Sequence, residues 1–198
     1  GSMATKEKNT STIYLSIKPK IMANSKKKGN RFERIVAKYF TDWSGFKFGR
    51  TPGSGSFHNN RDLGSDLICN DDKHKNRCCI SIECKNYQDI RFEHVLLGNK
   101  RCKIFSFWEQ AQRDAKRTKK FPILCMRYNS MPRGEFFFVV DSTVSKYLGP
   151  ASRMMIINAP ELDFSESPLF IYMASEVKEK SYKALHKALR KELRKSSK

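Results

Sequence analysis

Residues 78–85 constrain the fold of this 198-residue chain more than any other segment, because their side chains alternate in chemical character. Successive side chains of a strand point to opposite faces of a sheet. One face then carries four apolar residues, Cys78, Ile80, Ile82 and Cys84. The other face becomes polar toward the end of the segment, where Glu83 and Lys85 lie. We therefore predict a strand with one face in the core and a carboxylate and an ammonium group on the other.

A second short strand is predicted at residues 66–69, separated from the first by the charged turn 70–77. If the two strands form an antiparallel hairpin with Cys69 opposite Cys78, then Asp66 lies opposite Ser81. Asp66 thereby shares a face with Glu83 and Lys85. A slip of one residue would move it to the other face, but would also break the match of the apolar sides. The spacing thus predicts that two carboxylates and a lysine converge.

The remaining elements follow from hydrophobic periodicity and turn signals. A helix is predicted over residues 30–43, with Asn30 as its N-cap and Gly45 after its end. Further segments are a strand at 46–50, a Gly/Ser-rich loop at 51–61, a helix at 104–119, and a hairpin at 122–140. Residues 86–103 have no clear pattern, 150–175 are predicted to be irregular, and a basic helix with a stripe of Val177, Tyr182, Leu185, Leu189 and Leu193 ends the chain. This order predicts an α/β fold around a mixed sheet.

The net charge is +19, of which residues 1–29 and 176–198 carry +6 each. The body of the chain is therefore basic without its ends, and a polyanion such as nucleic acid is the first partner to consider. A solvated, solubilising surface is the alternative. Residues 1–3 have the composition of an expression scar, residues 4–29 are predicted to be a flexible arm, and Met22 is an alternative natural start.

Six cysteines lie mostly in apolar, strand-like runs, where free cysteine behaves as a small hydrophobic residue. We find neither a signal peptide nor an apolar run of the length that a membrane span needs. A reducing, cytoplasmic compartment without membrane attachment is expected. A zinc site at Cys69, His74, Cys78 and Cys79 is an alternative, although the paired CxxC spacing of structural zinc sites is missing.

The converging side chains suit metal-assisted phosphodiester hydrolysis. Mg²⁺ binds oxygen ligands and takes only one or two carboxylates, which Asp66 and Glu83 provide. Lys85 would orient the attacking water or neutralise the charge that develops on the phosphate. The alternative is a surface charge pair across two strands. Glu33 is separated from Asn30 by the spacing of a capping box, so its pattern is that of a helix cap.

The loop at 51–61 lies next to this predicted site. Its glycines permit close approach of the backbone to phosphate, and Arg50, His58 and Arg61 flank it or lie within it. We expect the loop to contact DNA, with a simple linker as the alternative.

The order of these residues resembles the PD-(D/E)xK nuclease superfamily, and within it the archaeal-type Holliday junction resolvases and related phage nucleases. The resemblance covers about residues 29–140. It implies a restriction-endonuclease-like fold, with a nuclease core at 30–141, an arm at 1–29 and a C-terminal extension at 142–198 that ends in the basic helix. It also implies catalytic roles for Glu33, Asp66, Glu83 and Lys85.

The same resemblance implies a metal site formed by Asp66, Glu83, Glu33 and the carbonyl of Cys84, holding Mg²⁺ for which Mn²⁺ would substitute. Arg50, Ser54, Ser56, Arg61 and Gln110 are implied as DNA-binding residues, with Ser54 and Ser56 as alternative matches to one family serine. The expected enzyme is a DNA endonuclease selective for branched DNA, acting as a homodimer, in the host cytoplasm if viral.

The chain departs from the family pattern at three places. Ser65 rather than proline precedes Asp66, residues 86–103 have the position of an insertion, and the part beyond 141 has no counterpart. A repair or restriction-type nuclease, or a catalytically silent nucleic-acid-binding protein of the same fold, remain the alternatives.

Overall fold

The computed structural model describes residues 21–51, 65–74, 77–97, 102–158 and 167–196. Their elements are, in chain order, α1 Ile21–Ser44, β1 Phe48–Arg50, β2 Leu67–Cys69, β3 Ile80–Tyr87, α2 Glu93–Leu96, α3 Lys103–Arg117, β4 Phe121–Tyr128, β5 Phe137–Val140, α4 Ser142–Leu148, β6 Met154–Ile157, β7 Leu169–Met173, α5 Ala174–Lys178 and α6 Tyr182–Ser196.

The described strands form one mixed sheet in the order β1-β2-β3-β4-β5-β7-β6. β3 and β4 are parallel and are joined through α3, whereas all the other neighbouring pairs are antiparallel. A parallel pair needs such a crossover, which explains why a helix separates these two strands in the sequence. The predicted α/β fold, a restriction-endonuclease-like mixed sheet flanked by helices, is confirmed.

Two layers of helices cover the sheet. On one face, α1 and α6 pack with the apolar side of β3 in a core that includes Phe40, Ile82 and Leu189. On the other face, α3 buries Trp108 against Leu124 and Met126 of β4 and its neighbours. The predicted alternation is confirmed from Ile80 to Lys85, because Ile80 and Ile82 belong to the α1 side and Glu83 and Lys85 bond to α3. It is wrong at Cys78 and Cys79, which precede β3 and are both buried in the core on the α1 side. The polar side of β3 faces α3.

The register of β2 and β3 differs from the prediction by two residues. Leu67 is paired with Ile82, so Asp66, one residue earlier, lies opposite Glu83, one residue later. The predicted pairing of Asp66 with Ser81 is therefore wrong, although its face is right. A shift of two residues keeps every side chain on its own face, because the side-chain period of a strand is two.

Helix α1 begins at Ile21, nine residues before the predicted start. Asn30 is consequently inside the helix, and the predicted capping box with Glu33 is wrong. Lysine has good helix propensity, so the polar composition of residues 26–28 does not stop the helix. Its end was predicted correctly, since Gly45 has a φ of +74°, a conformation that favours glycine, and its N–H donates to the Thr41 carbonyl.

The segment after residue 141 contributes to the same sheet. β5 pairs with β7 and β7 with β6, so the prediction that residues 150–175 are irregular is wrong. Pro150 and Pro168 flank these strands without interrupting them, and the partner that defines each strand is far away in sequence. The predicted stripe of the last helix is confirmed at Tyr182, Leu185 and Leu189, which are buried, whereas Val177 belongs to α5.

The six cysteines are free thiols. In the part of the chain that the structure describes, no helix has both the length and the apolar character needed to cross a membrane.

Candidate active site

Asp66 is held by its backbone between two strands. Its N–H donates to the Ile82 carbonyl at 3.1 Å, and its carbonyl accepts from the Thr51 N–H at 2.9 Å. The Thr51 hydroxyl also donates to the carbonyl of Ser65. These bonds fix the start of β2 against β3, and they set the carboxylate of Asp66 opposite that of Glu83.

Cys84 contributes its backbone to this arrangement. Its N–H donates to Asp66 Oδ2 at 2.8 Å. The carbonyls of every second residue of a strand point toward the same neighbouring strand. The Cys84 carbonyl therefore points toward β2, as does the Ile82 carbonyl that accepts from the Asp66 N–H. The thiol lies on the α1 face, where burial raises its pKa well above the usual value. Cys84 therefore offers a metal its carbonyl oxygen and not a thiolate.

Glu83 is 3% exposed and lies in a closed hydrogen-bond network with α3. Its Oε1 accepts from Lys85 Nζ at 2.6 Å and from Gln110 Nε2 at 2.7 Å. Lys85 Nζ also donates to Gln110 Oε1 at 2.9 Å, so each of the three side chains is bonded to the other two. Lys85 Nζ also lies 5.7 Å from the centre of the Phe107 ring. The four side chains hold one another in a single arrangement.

The charges in this cluster are out of balance. Burial, followed by repulsion from Asp66, raises the pKa of Glu83 to about 8, although Lys85 acts in the opposite direction. Burial also raises the pKa of Asp66, against the opposing effects of the Cys84 N–H and Lys85. One lysine does not compensate for two buried carboxylates. The cluster therefore favours the arrival of a further positive charge.

Glu33 approaches the same region from α1. Its carboxylate accepts a hydrogen bond from Arg50 Nε, and the Arg50 guanidinium also donates to Asn30 Oδ1 at 2.8 Å. The negative charge of Glu33 contributes to the raised pKa of Asp66, which places the two carboxylates in one electrostatic field. Arg50 thus reaches into the site and neutralises Glu33. Its predicted DNA contact stays a prediction.

Asp114 is a member of the site region that the sequence did not reveal. It follows Gln110 by one helical turn, is partly buried, and forms an ion pair with Arg117 at 2.9 Å. Burial raises its pKa, and its charge adds to the raised pKa values of Asp66 and Glu83. Its spacing of four residues from Gln110 was the sequence signal that could have indicated its position, because residues four apart lie on the same face of a helix.

Three of the predicted DNA-binding residues, Ser54, Ser56 and Arg61, lie outside the described residues. Gln110 was predicted to bind DNA, and the structure places its amide against Glu83 and Lys85.

The site offers a divalent cation two carboxylates and a backbone carbonyl as oxygen donors. In the described ranges, no three His, Cys, Asp or Glu side chains are grouped so that they could hold a metal by themselves, which also leaves the zinc alternative without support there. Mg²⁺ does not need such a cage, because it retains several waters and is held by one or two carboxylates. Asp66, Glu83 and the Cys84 carbonyl fit this pattern, because they offer oxygen donors on neighbouring strands.

Comparison with known proteins agrees with this geometry. A sequence profile of the family described as "Phage putative PDDEXK endonuclease" matches residues 24–167. The chain is also similar to Protein D14 of Escherichia phage T5, with 25% identity over 142 residues that cover 71% of this chain and 86% of that protein. No solved structure matches the chain. The profile spans most of the chain, including α1, the β2–β3 pair and α3, and the protein therefore belongs to this family of phage PDDEXK endonucleases.

Proposed function

We propose that the protein is a Mg²⁺-dependent DNA endonuclease whose site consists of Glu33, Asp66, Glu83 and Lys85. The observation that carries the proposal is the convergence of Asp66 and Glu83 on neighbouring strands, with Lys85 bonded to Glu83 at 2.6 Å. Retention of both carboxylates and the lysine argues against a catalytically silent DNA-binding protein. The free thiols and the phage relatives support action in the cytoplasm of the host.

The roles of the residues follow from their positions. Asp66, Glu83 and the carbonyl of Cys84 would hold the cation, and Mn²⁺ would substitute for Mg²⁺. When bound, the cation supplies polarisation of the phosphodiester and activation of a water. The Lys85 side chain is 22% exposed, so it can place a positive charge beside the phosphate as negative charge develops there. Gln110 keeps Lys85 in that position.

Gln110→Ala tests this positioning role. We expect DNA cleavage to fall about tenfold, because Lys85 loses one of the two hydrogen-bond partners that orient it. The Michaelis constant should change little, since the Gln110 amide bonds to Glu83 and Lys85 and not to the substrate. Single-turnover cleavage rates measure the effect. The exposed Lys103→Ala at the start of the same helix is the control, and an equal loss in both variants would contradict the assignment.

We further infer that the substrate is branched DNA and that the enzyme acts as a homodimer. Paired nicks in a four-way junction need two sites, which a twofold dimer supplies. β6 is at the end of the described sheet and exposes Met155 and Ile156, which gives a second copy an apolar edge. Sedimentation velocity at increasing protein concentration would measure the association.

Cleavage of three DNA substrates tests the proposal. A four-way junction, a flap and a linear duplex are incubated with the full chain at equal salt, with Mg²⁺ or with EDTA. We expect cutting only with Mg²⁺, and at least about tenfold faster cutting of the branched molecules. Equal rates on all three would leave a repair or restriction-type nuclease as the better description. Cutting that EDTA does not stop would contradict the metal-dependent mechanism.

A further inference from the structure

A concave basic cleft lies between α1 and the C-terminal ends of β3 and β4. Its volume is about 340 Å³, which is within the range of about 300–1,000 Å³ that is typical of ligand pockets. Its lining includes four cationic residues, Lys28, Arg31, Arg127 and Arg133, and no acidic residue. The cleft therefore suits an anionic ligand.

The floor of the basic cleft has a different character from its rim. Phe32 and Met131 are buried, and the Arg127 guanidinium carbon is 6.0 Å from the centre of the Phe32 ring. A hydrogen bond of 3.0 Å to the Met131 carbonyl holds Arg127 in this place. The half-buried Arg127 guanidinium is thereby fixed as a flat surface over the aromatic ring. Such a surface suits a nucleotide, because the face of its base stacks on a guanidinium plane while its phosphate meets the other cations.

Asn86 adds a buried oxygen that has no hydrogen-bond partner among the described residues. Its Nδ2 donates to the Lys28 carbonyl at 3.3 Å, but its Oδ1 is buried and accepts no hydrogen bond from the part of the chain that is described. A buried acceptor without a donor is costly, and a ligand that brings an N–H group removes the cost. The amino groups on the edges of DNA bases are such donors, and asparagine is a common reader of them.

The basic cleft is close to the proposed cutting site. Asn86 directly follows Lys85 in β3 and is paired with Arg127 of β4. It is three residue steps along β3 from Glu83, a distance of about 10 Å at roughly 3.3 Å per residue. Glu83 and Asn86 point to opposite faces of β3, so a DNA strand that passes over the end of β3 meets both. Within a paired duplex, stacking and pairing keep a base from entering such a cleft.

We propose that the basic cleft binds an unpaired nucleotide of the DNA strand beside the bond that is cut. The base packs on the half-buried Arg127 guanidinium, which lies over the Phe32 ring, and donates to Asn86, while Lys28 and Arg31 contact the flanking phosphates. This inference rests on the proposed nuclease function and narrows it. The substrate is DNA with an unpaired nucleotide next to the cut, as at a branch, a gap or a strand end.

A binding titration tests the inference without any cleavage. The full chain, in EDTA, is titrated into a short single-stranded DNA oligonucleotide that contains 2-aminopurine. Arg31→Ala and Asn86→Ala should weaken binding about tenfold, the scale of one lost hydrogen bond or phosphate contact, and should reduce the change in 2-aminopurine fluorescence. Arg31 is exposed, so its replacement does not put folding at risk.

Arg34→Ala is the matched control, because Arg34 is an exposed arginine of the same helix outside the cleft lining. Its effect should stay within about twofold. Equal weakening by Arg31→Ala and Arg34→Ala would show diffuse electrostatic attraction and overturn the proposal. Absence of binding by the unaltered chain, or unchanged binding by Asn86→Ala, would also overturn it.

The outcome for the cleft is distinguishable from that for the nuclease. If the unaltered chain cuts DNA with Mg²⁺ but the cleft variants bind the oligonucleotide as tightly as the unaltered chain, the cleft proposal fails and the proposed function stands. If the cleft variants lose binding but no DNA is cut under any condition, the proposed function fails and the binding site stands.

Discussion

Asp66→Asn is expected to reduce the rate of DNA cleavage by about 1000-fold or more while leaving DNA affinity within about twofold. The asparagine oxygen can still accept the hydrogen bond from the Cys84 N–H, so the start of β2 should stay in place. What is lost is the negative charge that a cation needs. Single-turnover cleavage with Mg²⁺ and fluorescence anisotropy in EDTA measure the two quantities on the same oligonucleotide.

Lys85→Ala should give a similar loss for a different reason, because it removes the positive charge beside the phosphate. Asp89→Asn is the control for Asp66→Asn, since it also replaces an aspartate by asparagine, but at an exposed position shortly after β3. If Asp66→Asn and Lys85→Ala cut DNA as fast as the unaltered chain, the assignment of the site to Asp66 and Lys85 is wrong. If both lose DNA binding instead, the residues act in binding and not in the chemistry.

Glu83→Gln is expected to remove catalysis and yet to stabilise the metal-free protein at alkaline pH. Burial raises the pKa of Glu83 from 4.5 to about 8, so the folded state favours the protonated carboxyl. The stabilisation from that protonated form is complete below the unfolded pKa and is lost as the pH rises through about 8. Between those values the unfolded state binds fewer protons, and the free energy of unfolding falls by at most about 1.4 kcal/mol per pH unit.

Thermal denaturation in EDTA between pH 5 and pH 9 measures this effect, with pH values chosen to bracket the shift of Glu83. As the pH rises, the free energy of unfolding of the Glu83→Gln variant should exceed that of the unaltered chain by a few kcal/mol, because glutamine does not titrate. Taking the difference cancels the general charge effects of a protein with a net charge of +19. Glu179→Gln, at an exposed position, should give parallel curves.

Mg²⁺ should reverse the order of stability. It binds the ionised carboxylates of the folded state, so it should raise the melting temperature of the unaltered chain more at pH 9 than at pH 6. The Glu83→Gln variant should respond weakly at both. Parallel pH curves for the variant and the unaltered chain, with no response to Mg²⁺, would show that Glu83 is an ordinary buried side chain.

Local patterns in the sequence were enough to predict the polar face of β3. A period of two assigns Glu83 and Lys85 to one face, and the apolar side of the neighbouring strand restricts Asp66 to the same face. The exact partner of Asp66 was not predictable in this way. Shifts of two residues preserve all faces, so only the hydrogen bonds of Asp66 with Ile82 and Thr51 select the observed register.

Glu33 shows the limit of local reasoning more clearly. Its spacing from Asn30 is that of a helix cap, but the helix continues nine residues further back and the carboxylate binds Arg50 of β1. No local signal connects residues that are 17 positions apart and lie in different elements. The same holds for β6 and β7, whose short sequences became strands because β5 offered an edge on which they could pair.

The amino-acid sequence was sufficient for the fold class, the central strand and the face that Asp66, Glu83 and Lys85 share, because alternation and periodicity act between near neighbours. The closed network of Glu83, Lys85 and Gln110, the neutralisation of Glu33 by Arg50, and the basic cleft around Asn86 depend on how the sheet and the two helical layers pack. Those contacts join residues that are distant in the chain, and their distances and burial exist only once the chain has folded.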